Sequence, residues 1–397
     1  METLATECPH VINFSKQLQQ RWGLKTHNCI NFIFHQTMKQ KSKSTSWFMK
    51  NKNERGFFDE QFRLEKLTLQ NDPLVKLLQE INWEQFRKIL TNAFEQEEKG
   101  VGGRPAFDYV MMFKILVLQR YYNLSDEQMQ YQILDRLSFM RFLGLTLSDR
   151  VPDEKTIWLF RENLIVHKLI DKLFDKFLQS LEKANLVGKE GRMVDASFVE
   201  VPRQRNSREE NEKIKEGILP EDWEDNANKL SQKDIDARWT KKNNQTFYGY
   251  KDHVKVDEKS KLILCYEVTD ASVHDSQPLE DLLSKKDKDQ PLYGDSAYTG
   301  EEQEKVIKKV GMINRVHEKG YKNRPLTKKQ LKANRKKSKF RARVEHVFGF
   351  MEISMKKMYI HSIGKIRAEG IIGLMNLTYN LIRSIQIRTL RGISVSI

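Results

Sequence analysis

From Phe57 onward, apolar residues recur at steps of three and four through FFDEQFRLEKLTLQNDPLVKLLQEINWEQFRKILTNAFEQ, the spacing of one face of an amphipathic helix. KGVGGRPA then predicts a turn, with Pro105 near the start of the next helix, where a missing N–H leaves no helical bond unmade. YVMMFKILVLQRYY, about 14 residues with Lys114 and Arg120 as its charges, reads as a buried helix. Helical spacing continues through SDEQMQYQILDRLSFMRFLGL and PDEKTIWLFRENLIVHKLIDKLFDKFLQSLEKAN. Ser125, with Gln128 three residues on, and Asp153 stand at N-cap positions. Residues 56–187 are therefore predicted as an all-helical N-terminal domain, partly basic and with room for a helix-turn-helix.

The period then shortens. RMVDASFVEVPRQ is rich in β-formers, and TFYGYKDHVKVD and KLILCYEVTDA alternate around EKS as a hairpin. A helix near QPLEDLLS precedes the short strand PLY, and the helix EQEKVIKKVG is followed by the strand MINRVHEK. A basic run from Lys322 to Arg343 leads into two closing helices, ARVEHVFGFMEISMKKM and AEGIIGLMNLTYNLIRSIQIRTL. Residues 188–397 are thus predicted as a mixed α/β sheet domain, interrupted by a highly charged insertion at 203–244.

The chain has 397 residues, enough for two domains, and a net charge of +15 with a pI near 9.4. Such an excess points to a polyanion, nucleic acid or an anionic membrane surface. No apolar run reaches membrane-spanning length, and no basic amphipathic helix, lipidation motif or signal sequence is visible, which leaves nucleic acid and a cytoplasmic location. Cys8, Cys29 and Cys265 are odd in number and widely spaced, as suits a reducing compartment. The pairs Cys8–His10 and His27–Cys29 are spaced more tightly than zinc ligands usually are. Residues 1–55 carry weak periodicity and the basic stretch KQKSKSTSWFMKNKNERG, and are expected to form a poorly ordered arm. Met38 and Met49 both follow its first 37 residues, which are expected to be dispensable.

PLYGDSAYTG ends an apolar strand in a carboxylate, Asp295, before a helix whose start falls at Thr299–Gly300. Asp295 serves there either as a cap or as part of a site. A site needs partners, and two further carboxylates offer themselves: Asp195 within an apolar strand, and Glu345 on a helix between Val344 and Val347. If the strands of Asp195 and Asp295 are neighbours, the carboxylates share one sheet edge, and the helix of Glu345 can cross it. Two carboxylates about 4 Å apart repel by roughly 4 kcal/mol at an effective dielectric near 20, so the cluster demands a cation. All-oxygen ligands select Mg²⁺ or Mn²⁺, and two such ions about 3.5–4 Å apart suit in-line displacement at a phosphodiester. The structural alternatives are a strand-end Asp195 and an i,i+4 pair between Arg341 and Glu345.

Candidate phosphate contacts surround these residues. Lys251 and His253 alternate onto one strand face, either solvated or facing DNA, while His274 and Asp275 follow a strand. The basic run includes Lys336, Lys337, Lys339, Arg341 and Arg343 without an acid among them, and is expected to track phosphates. Trp223 and Trp239, in the charged insertion, either pack on the core or stack on a displaced base.

Taken in order, MVDASFVE, YGYKDHVKVD, TDASVHDSQ, YGDSAY and RARVEHVFGFME resemble the motifs of DDE transposases of bacterial insertion sequences, IS-five type. Upstream, FFDEQFRLEKL, GRPAFDYVMMFKILVLQRYYNLSDEQMQYQI and VPDEKTIWLFRENL resemble that family's N-terminal domain, so the likeness runs over about residues 55–390. The resemblance implies a ribonuclease H-like catalytic fold and Mg²⁺ dependence. It also implies cutting and joining of the element's own inverted-repeat ends on double-stranded DNA by a homodimer in a synaptic complex associated with the nucleoid. Asp195, Asp295 and Glu345 fall at the positions of the family's catalytic and metal-binding triad, and Arg341 at its signature arginine. Two positions depart from the pattern: Ser338 stands for a tyrosine, and Glu352 for a lysine seven residues after Glu345. On a continuous helix Lys356 returns to the face of Glu345 and is expected to supply the missing cation. The competing reading is a catalytically inactive, repressor-like derivative that binds the repeats.

Overall fold

The computed structural model describes residues 58–94, 105–224, 226–242, 244–322 and 324–392. The arm over residues 1–55, its cysteine–histidine pairs and Met38 and Met49 lie outside the described residues. Among the described residues, helices α1 (Asp59–Leu69), α2 (Pro73–Glu80), α3 (Arg87–Phe94), α4 (Tyr109–Tyr122), α5 (Asp126–Asp135), α6 (Leu137–Leu143), α7 (Glu154–Val166) and α8 (Leu169–Lys183) come first. Polar caps set their starts. Asp153 accepts from Thr156 N, and Ser125 and Gln128 form a reciprocal capping box on α5. Asp108 takes the Met111 N–H and so begins α4 at Tyr109, which leaves Pro105 in the approach rather than in the first turn. α4 is buried around most of its circumference, including Phe113, Ile115, Leu116, Val117 and Leu118.

The sheet comprises β1 (Arg192–Glu200), β2 (Arg238–Lys242), β3 (Gln245–Asp257), β4 (Ile263–Asp270), β5 (Pro291–Tyr293) and β6 (Ile313–Asn314). β3 runs antiparallel to β1 on one edge and to β2 and β4 on the other, while β1, β5 and β6 are parallel. This mixed sheet with flanking helices fits a ribonuclease H-like DDE domain. β2 lies inside the charged insertion and is invisible to a periodicity argument, because RWTKK does not alternate. Pairing with β3 holds it, with Trp239 and Tyr248 rings 4.7 Å apart. The insertion also contains α9 (Arg208–Lys215), α10 (Glu221–Glu224) and α11 (Ala227–Ser231). Trp223 is fully buried there, its indole N–H donating to Glu210 at 2.9 Å, so it packs rather than stacking on a base.

Among the described residues four helices follow the hairpin: α12 (Leu279–Leu282), α13 (Glu301–Val310), α14 (Lys328–Ile353) and α15 (Lys365–Arg391). α13 starts after Gly300 without a side-chain cap, since the Thr299 hydroxyl donates instead to the His317 carbonyl at 2.8 Å. The basic run, which leads into the closing helices without an apolar period of its own, is largely the first half of α14, opened by a capping box between Thr327 and Gln330. α15 is buried over most of its length and packs against α4, α7, α8 and β4. The approach is close enough that a Cβ at Gly373 would stand 2.3 Å from the Tyr266 hydroxyl. Asn380 donates to and accepts from the Ile263 backbone, and Asn376 donates to Asp252 at 3.0 Å. Residues Leu67–Ile397 accordingly form one compact unit, whose main core takes side chains from the early helices and the sheet alike. Residue 187 is not a break in the packing. No described helix is long and apolar enough to cross a membrane.

Candidate active site

β1 and β5 are hydrogen-bonded neighbours in parallel register, Arg192 with Leu292 and Met193 with Tyr293. Asp195 follows Met193 by two residues within β1, and Asp295 follows Tyr293 by two residues just past the end of β5, so the two carboxylates lie near each other at the C-terminal end of β5. α14 crosses this end. Its buried Val344, Val347, Phe348 and Met351 keep the i, i+3, i+4, i+7 spacing of an apolar stripe, and Phe340 stacks on Tyr293 at 4.8 Å. Packing that stripe down sets Arg341 and Glu345, one turn apart, along its flank.

Each carboxylate has a distinct setting. The Asp195 side chain is largely buried, and Oδ1 accepts from the Ala196 N–H at 3.0 Å. Burial pushes its carboxyl up to about 6; Asp295 adds to the rise, while Arg341, the Ala196 N–H and Lys242 oppose it. Asp295 accepts from Ala297 N at 2.8 Å and caps the single 3-10 turn at Ser296–Tyr298, so it is a cap and a neighbour of Asp195 at once. Glu345 is exposed. Arg341 joins the group: its Nη2 lies 3.8 Å from Asp195 Oδ2 and 3.8 Å from Glu345 Oε1, and its buried Nε has no partner. Among the described residues no three carboxylate, histidine or cysteine side chains gather closely enough to hold an ion. The donor set is nevertheless all hard oxygen, with one lobe facing a guanidinium that is otherwise poorly bonded, and such a set suits Mg²⁺ or Mn²⁺.

Three further groups border the carboxylates without having been singled out from the sequence. Tyr298 is buried against Gly294 and Val194, its hydroxyl without a partner; burial and the charges of Asp195, Asp275 and Asp295 hold that hydroxyl well above the usual phenol range. His317 follows β6 and is pulled below the ordinary histidine range by burial, then by the charges of Arg341 and Lys337. Ser338 lies 3.4 Å from its Nε2. Lys242, on β2, stands 3.6 Å from Asp275. A histidine just past a strand of the same parallel set was the available signal for His317; nothing local marks Tyr298 or Lys242.

The candidate phosphate contacts separate. Lys336 and Lys339 are exposed on α14, whereas Lys337 donates to the Val316 carbonyl at 2.8 Å, and Arg343 is ion-paired with Glu258. Lys251 and His253 do share a strand face, but both side chains are buried rather than solvated. Lys251 pairs with Asp275 at 2.8 Å; His253 is fully buried, bonded to Thr269, and pushed down to about 4 by burial, which keeps it neutral. Lys356 does not return to the face of Glu345. α14 ends at Ile353, where the chain turns to bury Met355 and Met358, and Lys356 has φ 58°, so the helical phase that would return it to Glu345 is lost. Its ammonium lies 5.9 Å from the Tyr122 ring, and its carbonyl accepts from Asn123 at 3.1 Å.

Residues 187–381 match the family model described as a transposase DDE domain, and residues 62–163 match one described as a transposase domain, DUF772. Among solved structures, the chain is similar to the piggyBac transposase synaptic complex with hairpin DNA at TM-score 0.40 and 12% identity, over 82% of this chain and 77% of that one. It is also similar to the Mos1 strand transfer complex at TM-score 0.17 and 12% identity, over 70% of this chain and 86% of that one.

Proposed function

We propose, for a chain whose two matched domains make it a DDE transposase, that it cuts the inverted-repeat ends of its own insertion sequence and joins them to target DNA. The observation that supports this reading is the parallel register of β1 and β5, which brings Asp195 and Asp295 near each other, with Arg341 of α14 lying 3.8 Å from Asp195 and 3.8 Å from Glu345. Asp195, Asp295 and Glu345 would hold the divalent cations, Mg²⁺ or Mn²⁺. When bound, such ions supply Lewis-acid stabilisation of the charge that develops on the phosphate.

The chain's own residues do the rest. Asp195 is anchored by the Ala196 N–H and Asp295 by the Ala297 N–H, so both carboxylates are oriented before DNA arrives. Arg341 offsets the charge of Asp195, and the exposed Lys336 and Lys339 give the phosphate backbone a cationic approach along α14. In the first step, water attacks the phosphorus at the element's end and the P–O3′ bond breaks, freeing a 3′-hydroxyl. In the second, that hydroxyl attacks a target phosphodiester, and one P–O bond replaces another. Two carboxylate-bearing strands and one helix serve both steps.

A second reading, a DNA-binding derivative without cleavage, draws support from Arg341 lying between Asp195 and Glu345 and from the acidic Glu352 where the family has a cation. One experiment separates the two. Linear DNA bearing the element's ends is incubated with Mg²⁺ and wild type, Asp195→Asn, Asp295→Asn or Glu345→Gln. The expected outcome is cleavage by wild type alone, with end binding retained by all four. Binding without cleavage by wild type favours the derivative, and a variant that cuts at the wild-type rate removes its residue from the site.

A further inference from the structure

A cavity of about 400 Å³ lies where the C-terminus of α4, the N-terminus of α5, α7 and the segment between α14 and α15 meet. Arg120, Arg161, Ser125, Gln128, His361 and Ser362 are among its walls. Its charges do not balance. Arg161 is 7% exposed and gives both Nη atoms to Asp126, at 2.5 and 2.9 Å, yet its buried Nε has no partner. The Arg120 Nε is likewise buried and unpartnered; its Nη2 reaches the Leu124 carbonyl at 3.4 Å, and among the described residues no carboxylate pairs with it. Burial, then the neighbouring charge of Arg161, pulls the Arg120 guanidinium down to about 10, with Asp126 opposing. Two guanidiniums thus share one carboxylate in a desolvated space, an arrangement that is costly unless an anion completes it.

His361 and Ser362 also wall a second cavity, of about 310 Å³, lined by Arg203, Arg205 and Lys233, with the carboxylate Asp234, whose oxygens accept from the Tyr250 hydroxyl. Two adjoining cationic cavities across one shared wall suit successive phosphates of a chain better than one small ion. We propose that the Arg120–Arg161 cavity is a phosphate-binding site that grips the DNA backbone, with the Arg203–Arg205 cavity receiving the phosphate beside it. The choice of DNA as the polyanion rests on the transposase reading; the demand for a phosphate does not.

The test is fluorescence anisotropy with a labelled duplex oligonucleotide across a salt series, using the full chain. Arg120→Gln and Arg203→Gln should each reduce the slope of log K against log salt by about 0.9, the share of one phosphate contact. Ser362→Glu, which leaves every arginine in place, should weaken binding in the same way and covers the case in which Arg120→Gln does not fold. Inorganic phosphate and ATP, followed by thermal shift, identify a free anion. Stabilisation of wild type by either one, with unchanged DNA slopes in folded variants, overturns the assignment to DNA. Unchanged slopes without any stabilisation overturn the site. A chain that binds DNA with the expected slope changes but never cleaves keeps this site while losing the cut-and-join reading.

Discussion

At 3.8 Å from both Asp195 and Glu345, the Arg341 guanidinium offsets two carboxylates that must otherwise repel. A cation entering between them competes with it. Arg341→Gln is therefore expected to tighten Mn²⁺ binding measured by isothermal titration calorimetry, whatever it does to DNA; unchanged or weaker binding would show that the guanidinium does not stand in the ion's place. Asp252 makes a different case. It is 1% exposed, and burial pushes its carboxyl up to about 7, opposed by the amide of Asn376. A raised acid favours folding fully below its unfolded value near 4, and that advantage is lost as pH climbs from about 4 to about 7. The loss is on the order of 4 kcal/mol. Asp252→Asn should thus raise the melting temperature at pH 8 and flatten its decline between pH 4 and 7. A variant no more stable than wild type at pH 8 would rule this out.

α14 is the element that joins binding to chemistry. Its first half carries exposed Lys336 and Lys339; its second half lays Val344, Val347, Phe348 and Met351 on the sheet and brings Glu345 to the strand ends. Neutralising Lys336 and Lys339 together should lower the slope of log K for DNA against log salt by roughly 1.8, about 0.9 for each contact. Lys337→Gln should change it less, because its ammonium is tied to Val316. Equal effects at all three positions would mean that the tie does not survive DNA binding. Sequence pattern placed Glu345 on a helix but began that helix at Ala342. The reason is physical: a run of lysines and arginines has no apolar period to read, and its helicity rests on the Thr327–Gln330 box and on Phe340 stacking over Tyr293.

For the molecule as a whole, α15 decides cohesion. It binds the sheet through Asn376 and Asn380 and packs on α4, α7 and α8, so helices and sheet should melt together. Calorimetry is expected to find one transition, with van't Hoff and calorimetric enthalpies equal. Gly373→Ala drives a methyl toward the Tyr266 hydroxyl, which is itself bonded to Asp171 at 2.5 Å, and should lower that single transition by about 1–3 kcal/mol. Two separated transitions would mean that the helical segment and the sheet unfold independently.

What the residues determined alone is local. Apolar spacing of three and four, Ser125 and Asp153 at caps, and alternation around EKS specify helices and a hairpin through nearest-neighbour physics, and they held. The neighbouring of Asp195 and Asp295 was legible too, as a condition: it required the strand at Asp195 and the strand at Asp295 to pair, and β1 and β5 do. Tertiary structure decided what spacing cannot carry. Lys251 and His253 share a strand face by period, yet whether that face meets water or protein depends on what covers the sheet, and it is covered. Lys356 would follow Glu345 around a helix if the helix continued; Met355 and Met358 are buried instead, and the chain turns at Ile353. Arg341 met Asp195 across 146 residues of sequence, and Tyr298, His317 and Arg120 acquired their surroundings the same way. Contacts between distant segments follow from how elements pack, and a one-dimensional pattern holds only the faces that pack, not the partners they find.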